Sequence, residues 1–402
     1  MSGNTFNERT DRTGTNSLKW DYRKEVFGRE DILPMWVADA DWPTAPSVVD
    51  AIVDRAKHGV FGYTKTGDHA DRLVINWLEN RYGWDVDREW LVYTNGVIPS
   101  LSMAIRAFTH SGEGVVLQPP VYYPFYEVVN KSGAKVVKNV LHLDQGRYTM
   151  DFEDLVDQCV NSSKALPIKP EPKIMLLCNP HNPVGRVWTK QELTKLSDIC
   201  VKNDILLISD DIHAEFVYGD NKYTPVPALG EEISDNSITL ISPSKAFNTA
   251  GLPAAVTVIP NKKIRKTFQD TSSKLLGSPS IFGLEALKAA YSEGNEWLDS
   301  QLSYLKQNID YTVQTVNNEI PGVHAIEPEG TMLVWLDFRG LKLNEEELED
   351  LLVGEAKVGL DLGRWFGTGG EGFARINVAC SRETLKEGLL RIKRAVRDIS
   401  CS

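Results

Sequence analysis

The chain reads as a three-layer α/β/α protein built on a mostly parallel seven-stranded sheet, with a smaller α+β domain attached. Three observations predict this. Between residues 91 and 259, seven short apolar runs recur: Leu91–Thr94, Val115–Leu117, Val136–Val140, Ile174–Leu177, Ile205–Ile208, Ile238–Ile241 and Ala254–Ile259. They are too continuous for strands with one wet face, so the sheet must be covered on both sides. Helical patterns lie between them, which is the alternation of a layered α/β fold. After about residue 295 the pattern changes. A long helical stretch (Trp297, Leu298, Leu302, Leu305, Ile309, Val313, Val316) runs to Pro321-Gly322. Strands at Met332–Phe338 and Ala374–Val378 come next, with helices near 344–357 and 382–398. The predicted division is an N-terminal segment (1–45) joining the small domain, a large domain (46–294) and a small C-terminal domain (295–402).

Length and composition agree with two domains. Single hydrophobic cores stop growing at roughly 250–300 residues, and this chain has 402. Its 42% hydrophobic and 25% charged residues are those of an ordinary soluble protein. A formal charge of −11, with no basic run, argues against a nucleic-acid or anionic-membrane partner. Five scattered cysteines (Cys159, Cys178, Cys200, Cys380, Cys401) lack CxxC spacing and read as reduced core thiols, with no metal site indicated. The N-terminus has no apolar signal region, and no run reaches the roughly 18 apolar residues of a membrane span. A cytoplasmic location is expected.

Taken in order, residues 1–30 are polar and expected on the surface, with Trp20 and Tyr22 as their anchors. Leu33–Pro43 packs Trp36, Trp42, Asp39 and Asp41 into a proline-bounded loop that is either a domain seam or a ligand wall. Residues 46–58 form a predicted helix with Pro46 in its first turn and Gly59 as its stop. The sequence Phe61-Gly62-Tyr63-Thr64 comes next, then a second helical pattern closed by Gly83. Helices are also predicted over 97–109 and 189–202, the second opened by the capping box Thr189–Glu192.

In open α/β sheets, ligands bind beyond the carboxyl ends of the strands. The residues just past each predicted strand are small and polar. Asn95-Gly96-Val97 opens a helix whose free N–H groups and dipole make an anion site. Tyr122 and Tyr123 lie past the second strand, Asn179–Gly185 past the fourth, Ser209-Asp210-Asp211-Ile212-His213 past the fifth, and Ser242-Pro243-Ser244-Lys245 past the sixth. Lys245, between small hydroxyl residues and Ala246-Phe247, stands where partial desolvation favours the neutral amine that forms Schiff bases. Each residue alone has an ordinary reading: a loop lysine, a loop acid at Asp210, packing at Tyr122, a turn amide at Asn182, a plain cap at Gly96. Together, at strand ends and in this order, they are the parts that hold pyridoxal phosphate.

With these motifs the chain resembles the fold-type I pyridoxal-phosphate enzymes, aminotransferase class I/II, and most of all their cystathionine β-lyase (C–S lyase) branch, the MalY/PatB-like proteins. The motifs are MWVADADWP (35–43), GYT (62–64), NPHNPVG (179–185), SDDIH (209–213), SPSKAFN (242–248) and FGTGGEGFARINVACS (366–381). The resemblance implies that Lys245 carries the cofactor covalently, Asp210 pairs with its pyridine nitrogen, Asn182 bonds the ring hydroxyl and Tyr122 stacks on the ring. It implies that Gly96, Val97, Ser242 and a neighbouring subunit's Tyr63 hold the phosphate, with His213 also at the cofactor. By the same resemblance Arg375 takes the substrate carboxylate, with Tyr123, Trp36 and Ala38 beside it. A homodimer with shared active sites and a small amino-acid substrate are implied too. The implied reaction is β-elimination from L-cystathionine or related S-substituted L-cysteines, giving a thiol (homocysteine), pyruvate and ammonia. The alternatives are an aminotransferase of L-amino acids and a pyridoxal-phosphate-binding regulatory protein.

The chain also departs from these patterns. His213 stands where class I aminotransferases have Tyr, and Pro253 where they have Arg; Asp211 replaces the branch's commoner Glu, and Ala40 and Trp42 replace its Met and Phe. Two rival motifs fail on context. Ser242–Lys245 fits the S-x-x-K of serine acylases, but Lys65-Thr66-Gly67 and Ser234-Asp235-Asn236 precede it, in the wrong order. Gly367–Gly372 fits G-x-G-x-x-G, but it leads into a strand pattern rather than a helix.

Overall fold

All seven apolar runs form strands of one sheet in the computed structural model, which describes residues 6–161, 170–273 and 275–400. In chain order they are β1 (Leu91–Thr94), β2 (Gly114–Leu117), β3 (Lys135–Lys138), β4 (Pro172–Cys178), β5 (Leu206–Asp210), β6 (Ser237–Ile241) and β7 (Ala255–Val258). Their spatial order is β1-β7-β6-β5-β4-β2-β3. The pairs from β6 through β3 are parallel, and β7 runs antiparallel to both neighbours. The continuous apolar runs have the expected cause. Val115, Leu117, Ile174, Leu176, Ile208 and Ile238 pack on one face with helix Val97–Phe108. Val116, Met175, Leu177 and Leu207 point to the other, against Leu193 and Leu196 of helix Lys190–Lys202. Alternate side chains are thus buried on both faces.

The helices begin and end where their sequences direct. Pro46–His58 (α1) has Pro46 in its first turn and stops at Gly59. Asp68–Tyr82 (α2) stops at Gly83. Val97–Phe108 is α3. Lys190–Lys202 (α4) starts at Thr189 with both capping-box hydrogen bonds made. Ile281–Glu293 (α5) leads into the 25-residue Asn295–Glu319 (α6). Beyond it, His324–Ile326 (β8), Leu333–Asp337 (β9), Asp361–Leu362 (β10) and Phe373–Asn377 (β11) make a four-stranded sheet in the order β8-β9-β11-β10. Arg382–Ser400 (α7) closes the described chain. The segment expected as one helix near 344–357 is a short helix, Glu345–Glu349, continued by the wider-wound Asp350–Glu355.

The N-terminal segment differs from its surface expectation. Trp20 is an anchor as expected, but Tyr22 is exposed, and Phe6 and Lys19 are buried instead. The difference is one of compensation. Lys19 Nζ donates to Asp41 at 3.0 Å, which lets a cation lie under the surface, while Phe6 meets Trp42 and Trp297 edge to face. Leu33–Pro34 pairs in parallel with Val358–Gly359. Cys178, Cys200 and Cys380 are buried free thiols and Cys159 is half-buried; Cys401 lies outside the described residues. Among the described residues no helix is long and apolar enough to cross a membrane.

Candidate active site

The polar ends of β1, β4, β5 and β6 converge on one cavity of about 260 Å³. It brings together Gly96, Val97, Tyr122, Asn182, Asp210 and His213, with Ser242, Lys245 and Ala38 also on its wall. Each arrives by local chemistry. Gly96 precedes α3 at φ +139°, a conformation that favours glycine; no side chain caps the helix, and its first residues, Val97 and Ile98, line the cavity. Asp210 is the last residue of β5. Successive side chains alternate across a strand, so Asp210 turns into the cavity while Ser209 and Asp211 turn away. Ser209 Oγ and Tyr223 Oη both donate to Asp211, whereas the carboxylate of Asp210 accepts only from the Ile212 N–H, at 3.2 Å.

Lys245 is held from both sides. Ser242 Oγ donates to Ala254 O at 2.6 Å and accepts from Ser244 N at 3.1 Å, which fixes the turn after β6. Phe247, fully buried, stacks on Trp297, and Gln301 donates to Ala246 O at 2.8 Å. Lys245 Nζ donates to Ala38 O at 2.7 Å. Asn248 clamps the same loop: its amide oxygen accepts from Ala40 N at 3.1 Å, and its NH2 donates to Ala40 O at 3.0 Å and Trp42 O at 2.8 Å. Of the two readings of the loop, the wall is the one seen: Ala38 lines the cavity and Asn248 fixes the loop beside it.

Burial sets the electrostatics. It draws the Lys245 amine below the usual lysine range, although Asp39 and Asp210 pull the other way. It pushes Asp210 up to about 7, partly opposed by the Ile212 N–H and Lys245. It drives His213 down to about 3, with the nearby Lys245 and Arg375 charges adding to the effect, so the ring is neutral. His213 Nδ1 and Asn95 Oδ1 are buried without a hydrogen-bond partner.

Four expected site residues stand apart from the cavity wall. Arg375 on β11 reaches it through Asn182, whose Oδ1 accepts from Nη1 at 2.8 Å. The Trp36 ring packs on Phe27, and its indole donates to Lys19 O at 3.3 Å; only its carbonyl meets Arg375, at 3.0 Å. Tyr123 is half-exposed, edge-on to Trp365 and Phe366. Tyr63 is fully exposed. Asp361, paired with Arg375, has no motif around it; its one signal is a lone acid in the apolar run Val358–Leu362. Ser244 and Cys178 also line the cavity without a sequence argument of their own.

Comparison with known proteins agrees with this geometry. The family model for aminotransferase class I and II matches residues 35–392. Cystathionine beta-lyase PatB of Bacillus subtilis is 40% identical over 97% of this chain and 99% of that one. Protein MalY of Escherichia coli is 34% identical over 98% of this chain and 99% of its own. The structure of cystalysin from Treponema denticola, which contains a pyridoxal 5'-phosphate cofactor, superimposes with a TM-score of 0.92 at 33% identity, covering 98% of this chain and 99% of that one. A match over most of the length, on a seven-stranded sheet whose strand ends carry the motifs, means that the chain belongs to the aminotransferase class I and II family.

Proposed function

We propose that this protein is a pyridoxal-phosphate-dependent carbon–sulfur β-lyase that acts on L-cystathionine or related S-substituted L-cysteines. The observation that carries the reading is the meeting of a half-buried amine, a buried carboxylate and an uncapped helix N-terminus in one cavity. The residues present fit the cofactor. The first turn of α3 suits its phosphate, Lys245 its aldehyde, and Asp210 a protonated ring nitrogen. The unpartnered His213 Nδ1 and Asn95 Oδ1 are polar atoms that a bound ligand can serve.

Bound there, the cofactor supplies an electron sink for charge that develops at the substrate Cα. The chain's own residues do the rest. Asp210, pushed up to about 7 by burial although Lys245 and the Ile212 N–H oppose the rise, would recover its negative charge beside a pyridinium and keep that nitrogen protonated. Asn182, its oxygen occupied by Arg375, would have its NH2 free to hold the ring hydroxyl. Tyr122 would cover the ring, and Arg375 would take the substrate carboxylate beside Tyr123 and Ala38. The Lys245 amine, already drawn toward neutrality by burial, would remove the Cα proton as a general base. Loss of the sulfur substituent from Cβ as a thiolate, which takes up a proton to become the thiol, would complete the elimination, and water would then release pyruvate and ammonia. Likeness to the cystathionine β-lyases supports elimination, as does Pro253 in the place of the aminotransferase Arg. Incubation with L-cystathionine and no keto acid tests this. Pyruvate and thiol are expected; turnover only after a 2-oxo acid is added would make the protein an aminotransferase.

The same reading makes the protein a homodimer whose partner subunit supplies Tyr63 to the phosphate. Support comes from the fully exposed Tyr63, next to the exposed Val60 and Phe61. Mixing Tyr63→Phe with Lys245→Ala subunits should leave about a quarter of sites with wild-type composition under random reassortment. The division into residues 1–45, 46–294 and 295–402 is part of the proposal, supported by the Leu33–Val358 pairing and the break between α5 and α6 at Gly294. A cytoplasmic location goes with the free thiols.

A further inference from the structure

Arg375 is already engaged. Asp361 lies directly opposite it across the β10–β11 pair. Both side chains are buried, at 1% exposure for Asp361 and 2% for Arg375. Arg375 Nη2 donates to Asp361 Oδ2 and, at 3.0 Å, to Trp36 O, which uses both of its hydrogens. Nη1 donates to Asn182 Oδ1 at 2.8 Å, and the Phe366 ring covers the guanidinium with its centroid 5.0 Å away. A visiting carboxylate grips a guanidinium best through two parallel N–H groups. Each such fork includes Nη2, so each is blocked until Asp361 or the Trp36 carbonyl yields. Arg375 Nε and Asp361 Oδ1 are left buried and unpartnered, so the pair is not saturated. Tyr122, on the cavity wall, and Tyr123 both feel the charges of Asp361 and Arg375, which puts the pair beside the cavity.

We propose that Asp361 is a resident counter-carboxylate, which competes with the substrate for Arg375 and so sets how tightly the site holds an amino-acid carboxylate. This rests on Arg375 being the carboxylate receptor. A buried guanidinium with no counter-ion would be costly in the free protein and would seize any carboxylate. With Asp361 beside it the pair is neutral, and an incoming carboxylate gains a shared cation rather than a bare one. The amino-acid head group is then held loosely, and selection passes to the group on sulfur. Asp361 is a positioning residue in this account, acting through Arg375.

The test uses the holoenzyme and acetate as the probe, with affinity read by calorimetry. Asp361→Asn keeps an oxygen for Nη2 but removes the charge, and should tighten acetate by about tenfold, the equivalent of about 1.4 kcal/mol. KM for an S-substituted cysteine should fall with it, while kcat changes less. Asp361→Ala removes the charge without introducing an amide and should shift both constants the same way, so one poorly folding variant leaves the other to decide. If Asp361 only braced Arg375, both variants would bind acetate more weakly, and that result overturns the proposal. Arg375→Lys separates the two readings. Weaker acetate binding there, with no gain in the Asp361 variants, rejects the counter-carboxylate alone. An unchanged acetate affinity in Arg375→Lys rejects the carboxylate receptor as well.

Discussion

Two regions of the molecule bury charge in opposite ways. Around residues 36–42, each charge meets its opposite: Arg12 pairs with Asp39 at 2.6 Å and Asp41 at 3.0 Å, and Lys19 pairs with Asp41 at 3.0 Å, where the Trp20 indole also donates. The strand ends adjoin this loop at Ala38, yet there the half-buried Lys245 and the buried Asp210 have a carbonyl and a single backbone N–H as their hydrogen-bond partners. The first arrangement is finished and holds a wall in place. The second is unfinished, and its lysine, histidine and aspartate are all displaced from their usual ionisation by burial. Groups held by burial with no direct ion pair are the ones a ligand can complete.

The contrast breaks most completely at Lys245. Lys245→Ala should abolish covalent attachment of the cofactor and lower turnover by on the order of 10²–10⁴-fold or more, since both nucleophile and base are lost. Borohydride reduction and peptide mapping check the attachment, and label on another lysine would refute the assignment. Asp210 and its neighbour then sharpen the contrast, because one is unfinished and the other finished. Asp210→Ala should lower turnover on the order of 10²-fold while cofactor content falls much less. Asp211→Asn should act chiefly on stability, because Ser209 and Tyr223 hold its carboxyl away from the cavity. Activity surviving within a few-fold in Asp210→Ala would move the role elsewhere, with Asp211 the first candidate.

What the sequence makes legible divides in a similar way. The seven strands are readable because burial on both faces writes continuous apolar runs, and α4 because its capping box is local. Cavity residues such as Lys245, Asp210 and Gly96 are readable because they lie directly at strand ends. Residues that act across long sequence separations leave no such trace. Asp361 meets Arg375 only because two strands pair, and Asn248 meets Ala40 only because two loops touch. Lys19 reads as a surface residue because its carboxylate partner is 22 positions away. The Trp36 side chain, expected at the substrate, turns to Phe27 for the same kind of reason: a tertiary partner that local pattern does not encode.

A smaller effect should appear in the pH dependence of the cofactor-free protein. Burial raises Asp210 from 3.8 to about 7, so the fold holds a proton there that the unfolded chain has released. Stability from this group is therefore fully present below about pH 4 and lost as pH rises toward 7. Asp211 and Glu215, raised to about 8 and about 7, act in the same direction, while His181 and His213, buried and neutral, oppose it on the acid side. Comparing Asp210→Asn with the parent cancels those other groups. The variant's Tm should gain on the parent's between about pH 4 and 7 and level off above. A difference that is flat across this window would mean that Asp210 is already charge-compensated without the cofactor.

The smallest expected effect is on the finished side. Arg12 is 22% exposed, so its attraction to Asp39 and Asp41 is partly screened by water. In Arg12→Ala, Asp41 keeps Lys19 Nζ and the Trp20 indole, and Asp39 keeps Lys19 at 3.7 Å. The backbone of the loop also remains held, by Asn248 at Ala40 and Trp42 and by Asn377, whose NH2 donates to Val37 O at 2.6 Å and Asp39 O at 2.7 Å. No buried charge is therefore orphaned, and the loss should be about 1 kcal/mol or less, the range of exposed pairs rather than buried ones. Urea unfolding would show this as a lower midpoint at constant m-value. A loss of several kcal/mol would mean that Arg12 is the keystone of the wall, and that the redundancy seen in its hydrogen bonds does not operate when one cation is removed.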